Sequence, residues 1–148
     1  MKQVPRIPLR TIVHPLDSDY RILPYAVGIR GHTLPRGTVC NGASIPGIVR
    51  PVFGNPYQGP NRDAGWLHDY LYSTKRVSRA QADELFYREL IDDGCTAAMA
   101  KAMWFAVRTF AASHYGSKDR LPNFVSEEQL AFWERTASVD IQPLFGGP

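Results

Sequence analysis

The side chains best suited to chemistry in this sequence are a histidine and two aspartates that lie close together along the chain. His68 and Asp69 are adjacent, Tyr72 follows four residues after His68, and Asp83 lies eleven residues beyond Tyr72. A carboxylate bonded to one imidazole nitrogen fixes the tautomer and raises the basicity of the other nitrogen, which can then take a proton from water. These residue types therefore predict a general-base site.

Two predicted helices would position these residues. The first runs from about Arg62 to Ser73. The second begins after Ser78, where Gln81 three residues on completes a capping box, and it stops at Gly94, a residue type common at helix C-caps. Because the connection around Thr74–Val77 is short, the two helices are predicted to form an antiparallel hairpin.

The hairpin would place the histidine opposite the second aspartate. The midpoint of His68 and Asp83 is 75.5, close to the centre of the turn. Residues equidistant from that centre should face each other across an interaxial distance of about 8–10 Å. Tyr72 lies on the same side of its helix as His68. Asp69 is turned about 100° further round, so we expect it to hold a cation instead of sharing the partner of His68.

An irregular loop upstream offers further ligands for such a cation. A hard cation such as Ca²⁺ takes several oxygen ligands, many of them backbone carbonyls of glycine-containing loops. The segment 41–47 has this composition, so Asp69, Asn41 and Gly42 are the predicted metal ligands. The cation would polarise a carbonyl or phosphoryl oxygen while water attacks it. From the residues alone, a histidine–aspartate pair that only locks the hairpin is an equally open interpretation.

The whole sequence predicts an α+β fold in a single domain, 1–148. Residues 1–60 contain nine of the twelve prolines, which confines strands there to small sheets and edges. Residues 61–137 predict four mainly α-helical elements, and 138–148 predict a tail. The candidate strands are Leu9–Val13, Tyr20–Leu23, Ala26–Arg30 and Thr38–Cys40.

The third predicted helix, from about Thr96 to His114, has apolar residues around a wide arc. This pattern predicts a central, well-buried helix, with Lys101 and Arg108 on its solvent side. A fourth helix is predicted between a Ser126 cap and about Thr136. The apolar residues of the third helix that recur at spacings of four, four and three are Met99, Met103, Val107 and Phe110.

Composition argues against several classes of protein. The net charge of +3 is only mildly basic, and no cluster of five or more basic residues occurs, so no nucleic-acid partner is expected. The N-terminus lacks the apolar core of a signal peptide, and no run of eighteen apolar residues is present, so no transmembrane segment is expected. Cys40 and Cys95 are expected to be buried thiols without a disulfide bond.

The predicted helix hairpin resembles that of the secreted phospholipase A2 superfamily. In that superfamily one helix carries His-Asp with a tyrosine four residues after the histidine, and an antiparallel helix supplies a second aspartate. The resemblance implies that His68 is the general base, that Asp83 orients it, that Tyr72 hydrogen-bonds Asp83, and that Asp69 binds calcium. This chain departs from the pattern because it lacks the disulfide framework and a recognisable Gly-rich calcium loop.

A longer resemblance covers about Val27 to Tyr115. The sequence is similar to a domain-of-unknown-function family that is widespread in tailed phages and prophages. It implies a phage-derived protein, located in the virion or in the host cytoplasm. The ordered motifs that carry the resemblance are Leu-Pro-Arg-Gly-Thr-Val at 34–39, Asn-Gly-Ala-Ser-Ile-Pro at 41–46, His-Asp-Tyr-Leu-Tyr at 68–72, Ser-Arg at 78–79 and Ala-Asp at 82–83.

Two functions follow from these patterns. The first is a calcium-dependent, phospholipase-like hydrolase of phospholipid esters in the host envelope, used during entry or lysis. The alternative is a non-catalytic virion or tail component that contacts other virion or tail proteins, with His68 and Asp83 locking the hairpin. A third hypothesis is a small intracellular protein that counters host defences. The enzyme hypothesis predicts that the closest heavy atoms of the His68 and Asp83 side chains lie about 2.6–3.2 Å apart and that the histidine faces a cleft.

Overall fold

The computed structural model describes residues 6–8, 10–40, 61–116 and 121–141, with the backbone alone described for 140 and 141. Short antiparallel strands precede a set of helices, which confirms the predicted α+β class. The strands are β1 (Arg10–Val13), β2 (Arg21–Ile22), β3 (Val27–Ile29), β4 (His32–Leu34), β5 (Val39–Cys40) and β6 (Val139–Ile141). The helices are α1 (Arg62–Thr74), α2 (Arg79–Asp92), α3 (Ala97–Phe110) and α4 (Glu127–Thr136), with a 3-10 turn at Ala112–His114.

The strands form a four-stranded sheet, in the order β5-β2-β1-β6, and a separate β3–β4 hairpin. All neighbouring strands are antiparallel, and Ile12 of β1 lies opposite both Ile22 of β2 and Val139 of β6. The four predicted strands are confirmed, three of them with shorter bounds; the first agrees over Arg10–Val13, and Leu9 lies outside the described residues. Strands β4 and β6 were not predicted. The assignment of 138–148 as a tail is therefore wrong at 139–141, because β6 exists through its pairing with β1, more than 120 positions away, which no local pattern shows.

The helix hairpin of α1 and α2 forms as predicted, and its ends have the expected caps. The hydroxyl of Ser78 accepts from the backbone N–H of Gln81, while the side chain of Gln81 accepts from the backbone N–H of Ser78. This reciprocal capping box starts α2. Gly94 follows α2 with φ of 98°, a left-handed conformation that glycine adopts without steric cost. The turn itself uses Lys75 in the left-handed region, at φ of 54°.

Helix α3 is not the central, buried helix that its apolar pattern predicted. Met103 and Val107 are buried, but Phe105 is 62% exposed and Phe110 is 53% exposed. The helix packs against α2 along one side. Hydrophobic periodicity shows how apolar residues are distributed around a helix, whereas burial depends on which other elements cover each side. Arg108, predicted to face solvent, instead reaches α2.

The described core has two parts. The larger cluster joins α1, α2 and α3 to residues of β3 and β4, and the smaller cluster packs the inner side of β1 and β2 against Leu130 and Trp133 of α4. Cys40 is buried, Cys95 is half-buried, and no disulfide joins them. Among the described residues, no helix has both the length and the apolar character needed to cross a bilayer.

Candidate active site

His68 and Asp83 face each other across the helix hairpin, as the position of the turn predicted. The Nε2 atom of His68 lies 2.7 Å from Oδ1 of Asp83, and both side chains have no exposed surface. This distance falls within the predicted hydrogen-bonding range. The pairing arises because both residues lie seven or eight positions from the centre of the turn, on the facing sides of α1 and α2.

Two further side chains donate hydrogen bonds to the Asp83 carboxylate. The Tyr72 hydroxyl donates to Oδ1 at 2.7 Å, as the superfamily resemblance implied, and the Arg108 guanidinium donates to Oδ2 at 2.8 Å. Arg79 approaches the Tyr72 hydroxyl at 3.2 Å and also donates to the carbonyl oxygen of Val107 near the end of α3. One buried carboxylate therefore connects three helices.

The imidazole of His68 is enclosed by aromatic rings. Its centroid lies 4.1 Å from that of Tyr72 and 4.7 Å from that of Phe86. The ring has no solvent-exposed surface, which contradicts the expectation that it faces a cleft. A substrate could reach His68 only after the groups that cover the ring move aside.

Burial and hydrogen bonding act on the pKa values of this network in opposite directions. Burial lowers the pKa of His68, and the adjacent Asp83 offsets only part of that effect. Burial alone would raise the pKa of Asp83, but the hydrogen bonds from His68, Tyr72 and Arg108 outweigh it and lower the pKa. Burial also raises the pKa of Tyr72. The network thus favours a neutral imidazole next to an ionised carboxylate, the state that a general base requires.

The predicted metal site at Asp69 is only partly visible. Asp69 lies on α1 and is 5% exposed, whereas its predicted co-ligands Asn41 and Gly42 fall outside the described residues. The structure brings together a different group of possible metal ligands at the other end of the hairpin. This group does not include Asp69 and consists of three side chains, those of Asp63, Glu89 and Asp93.

Sequence reasoning missed Arg108 and this acidic group, although the turn-midpoint rule contained a signal for both. The midpoint of Asp63 and Glu89 is residue 76, close to the centre of the α1–α2 turn. The midpoint of Asp83 and Arg108 is 95.5, close to the centre of the α2–α3 connection. Charged residues placed symmetrically about a turn in an antiparallel pair were therefore candidates for contact.

Comparison with known proteins places the chain in a family. Residues 18–107, more than half of the chain, match the family described as protein of unknown function (DUF1353), and the chain belongs to that family. The match covers β2 to β5, both helices of the hairpin and most of α3.

One curated relative is the uncharacterized protein y4jT of Sinorhizobium fredii. The two sequences are 35% identical over 105 residues, which is 71% of this chain and 31% of the relative. The matched part is thus about a third of the relative's length. No solved structure matches the chain.

Proposed function

We propose that this protein is a hydrolase of phospholipid esters that uses His68 as its general base. The observation that supports the proposal most is the hydrogen bond from Nε2 of His68 to Asp83, with Tyr72 donating to the same carboxylate oxygen. This is the arrangement that the resemblance to the secreted phospholipase A2 superfamily implied. The phage-derived origin, with the host envelope as the site of action, remains part of the same proposal.

The proposed reaction uses the two imidazole nitrogens differently. Asp83 holds Nε2, so Nδ1 is the atom that takes a proton from the attacking water. As the positive charge develops on the imidazole, the Asp83 carboxylate stabilises it. His68 then returns the proton to the leaving alcohol oxygen, which breaks the ester bond and regenerates the neutral ring. Burial keeps the ring neutral before the reaction begins.

Asp69 is the residue of the described chain that would hold the proposed calcium ion, together with Asn41 and Gly42. The ion would polarise the ester carbonyl and stabilise the negative charge on its oxygen. Asp69 follows His68 directly in α1, so its carboxylate is attached to the same helical turn as the proposed base.

The proposal is tested by measuring fatty-acid release from phosphatidylglycerol–phosphatidylcholine vesicles, with calcium or with chelator. We expect calcium-stimulated release by the wild-type protein and a decrease of about 10²–10⁴-fold in His68→Gln, because a general base contributes that much to a rate. His14→Gln is the matched control, since His14 is 3% exposed but lies at the end of β1. Folding of each variant is checked by circular dichroism.

A folded wild-type protein that releases no fatty acid above the vesicle blank would refute the hydrolase proposal. Equal activity in His68→Gln and the wild-type protein would also refute it. These outcomes concern catalysis alone, because neither depends on whether the variants lose stability.

The second candidate is a non-catalytic component of a phage virion or tail. One observation favours it: His68 and Asp83 are completely buried, and the carboxylate joins α1, α2 and α3. Such a pair would serve to lock the hairpin. This candidate predicts a stoichiometric amount of the protein in purified particles and no hydrolysis of vesicles; its absence from the particles would refute it.

A further inference from the structure

A second group of buried charges lies at the end of the α1–α2 hairpin opposite the turn. Asp63 comes from the first turn of α1, Glu89 from the last turns of α2, and Asp93 from the C-cap of α2. Their exposures are 1%, 0% and 2%, and each provides a carboxylate oxygen within 4.8 Å of the other two. Carboxylates are rarely buried in this way unless they are paired or bind a metal.

The polar contacts of this acidic group are unevenly distributed. Both oxygens of Asp63 accept backbone N–H bonds, from Arg6 at 2.7 Å and from Ile7 at 2.9 Å. In contrast, within the described part of the chain no donor forms a hydrogen bond with either carboxylate oxygen of Asp93 or with Oε2 of Glu89. The Glu89 side chain and the backbone N–H of Ala64 both lie near Asp93; two ionised carboxylates cannot hydrogen-bond each other, and the Ala64 contact lacks normal hydrogen-bond geometry. Three buried oxygens therefore lack the donors that burial requires.

The charges around the group do not compensate for this lack. Among the described residues, Arg62 is the one fully buried guanidinium beside these three carboxylates. Arg6 and Arg30 have side chains that are 39% and 23% exposed, and both approach Oε1 of Glu89 instead of its uncontacted oxygen. Arg30 also binds Asp92 on the surface. The space between Glu89 and Asp93 therefore suits either a cation or a proton.

We propose that Asp63, Glu89 and Asp93 bind a divalent hard cation, with Ca²⁺ as the best fit. An all-oxygen ligand set selects Ca²⁺, Mg²⁺ or Mn²⁺ over softer metals. The three oxygens lie within 4.8 Å of one another, close enough to share one Ca²⁺ ion, whose bonds to oxygen are about 2.3–2.6 Å long. Mg²⁺ has shorter bonds and retains several waters, which a buried group of carboxylates accommodates less well.

The proposed cation would have a structural role. It would fasten the start of α1 to the end of α2 and, through the backbone of Arg6 and Ile7, to the N-terminal segment. It is separate from the calcium ion proposed at Asp69 and does not depend on hydrolase activity. In the cation-free protein, burial and the neighbouring Glu89 raise the pKa of Asp93 to about 9, so a proton is the competitor for the same position.

The test measures thermal unfolding and calorimetric binding after chelator treatment, with Ca²⁺ and Mg²⁺ added separately. At a Ca²⁺ concentration of about 100 times Kd, the wild-type unfolding temperature should rise by about 5–10 °C. Asp93→Asn should lose the part of this response that Asp69→Asn retains, because it keeps the shape of the side chain and removes its charge. Asp92→Asn is the matched control, since the adjacent Asp92 side chain is 41% exposed and binds Arg30. Asp69→Asn should retain the Asp93-dependent response, which separates the two calcium sites.

Three outcomes would overturn the proposed site. One is a wild-type protein whose unfolding temperature neither Ca²⁺ nor Mg²⁺ raises. Another is an equal response of Asp93→Asn and Asp92→Asn. The third combines two results: Asp93→Asn is more stable than the wild-type protein at alkaline pH whether or not a cation is added, and calorimetry detects no cation binding to the wild-type protein. Glu89 and Asp93 would then share a proton instead of a cation. Glu89→Gln provides a second variant with the same expected loss if Asp93→Asn does not fold.

Discussion

Replacing Asp83 by asparagine should destabilise the fold by about 3–5 kcal/mol, the usual cost of removing one partner from a buried ion pair. Asp83 has no exposed surface and accepts hydrogen bonds from His68, Tyr72 and Arg108. The asparagine carbonyl oxygen can still accept hydrogen bonds. Its amide N–H groups, however, would face a neighbouring side chain that is itself a hydrogen-bond donor, and two donors cannot pair. Arg108, whose side chain is 32% exposed, would also lose its counter-charge.

Urea unfolding followed by circular dichroism measures this change. With an m-value of about 2 kcal/mol/M, the expected loss lowers the unfolding midpoint by about 1.5–2.5 M. Glu84→Gln is the matched control on the same helix. Glu84 pairs with Arg88 on the surface, where side chains are 49% and 62% exposed, so its replacement should cost less than about 1 kcal/mol.

The reasoning would be refuted if Asp83→Asn changed the unfolding midpoint no more than Glu84→Gln. The three donors would then not depend on the carboxylate for stability, and the connection of α1, α2 and α3 through Asp83 would be incidental. A large loss is compatible with both proposed functions, since it measures the network and not its use. Only the vesicle assay separates catalysis from structural locking.

Acidification should reduce the contribution of the His68–Asp83 network to stability in two steps, whereas the raised pKa values of Asp63 and Asp93 act in the opposite direction on the wild-type protein as a whole. Burial lowers the pKa of His68 in the folded state, so the unfolded chain takes up a proton below about pH 6.5 that the folded protein resists, and stability falls. The lowered pKa of Asp83 adds a second loss below about pH 4. The difference in urea midpoint between the wild-type protein and His68→Gln, measured from pH 7 to pH 3.5, isolates the first step, and a difference that stays constant above pH 5 would contradict it. On α3, Met103→Ala should cost about 2–5 kcal/mol, whereas Phe105→Ser should change stability by less than about 0.5 kcal/mol; equal losses would disprove the assigned burial.

Local signals in the sequence were sufficient to predict the helix hairpin and its histidine–aspartate pair. The capping box at Ser78 and the glycine at 94 marked the ends of α2, because capping depends on residues within one turn. Once the hairpin was defined, helical geometry placed His68 opposite Asp83. The strands were predicted to within two residues at their described ends, except for β4 and β6, which are defined by their pairing with β3 and β1.

Contacts between elements that are distant in sequence were not available from local patterns. Arg108 looked like a surface residue in its own helix, and its hydrogen bond to Asp83 exists because α3 packs beside α2. The exposure of Phe105 has the same cause, since the apolar arc of α3 is wider than the surface that covers it. The pairing of β6 with β1 joins residues more than 120 positions apart.

The sequence by itself determined the reactive residue types, the caps and the turn that brings His68 to Asp83, because these depend on chemistry and geometry within about two helical turns. Only the tertiary structure decided that the imidazole is enclosed between Tyr72 and Phe86 and that three carboxylates meet beside Arg62. Burial and net charge at a site are sums over all elements that pack there. They therefore emerge only when the whole chain is folded.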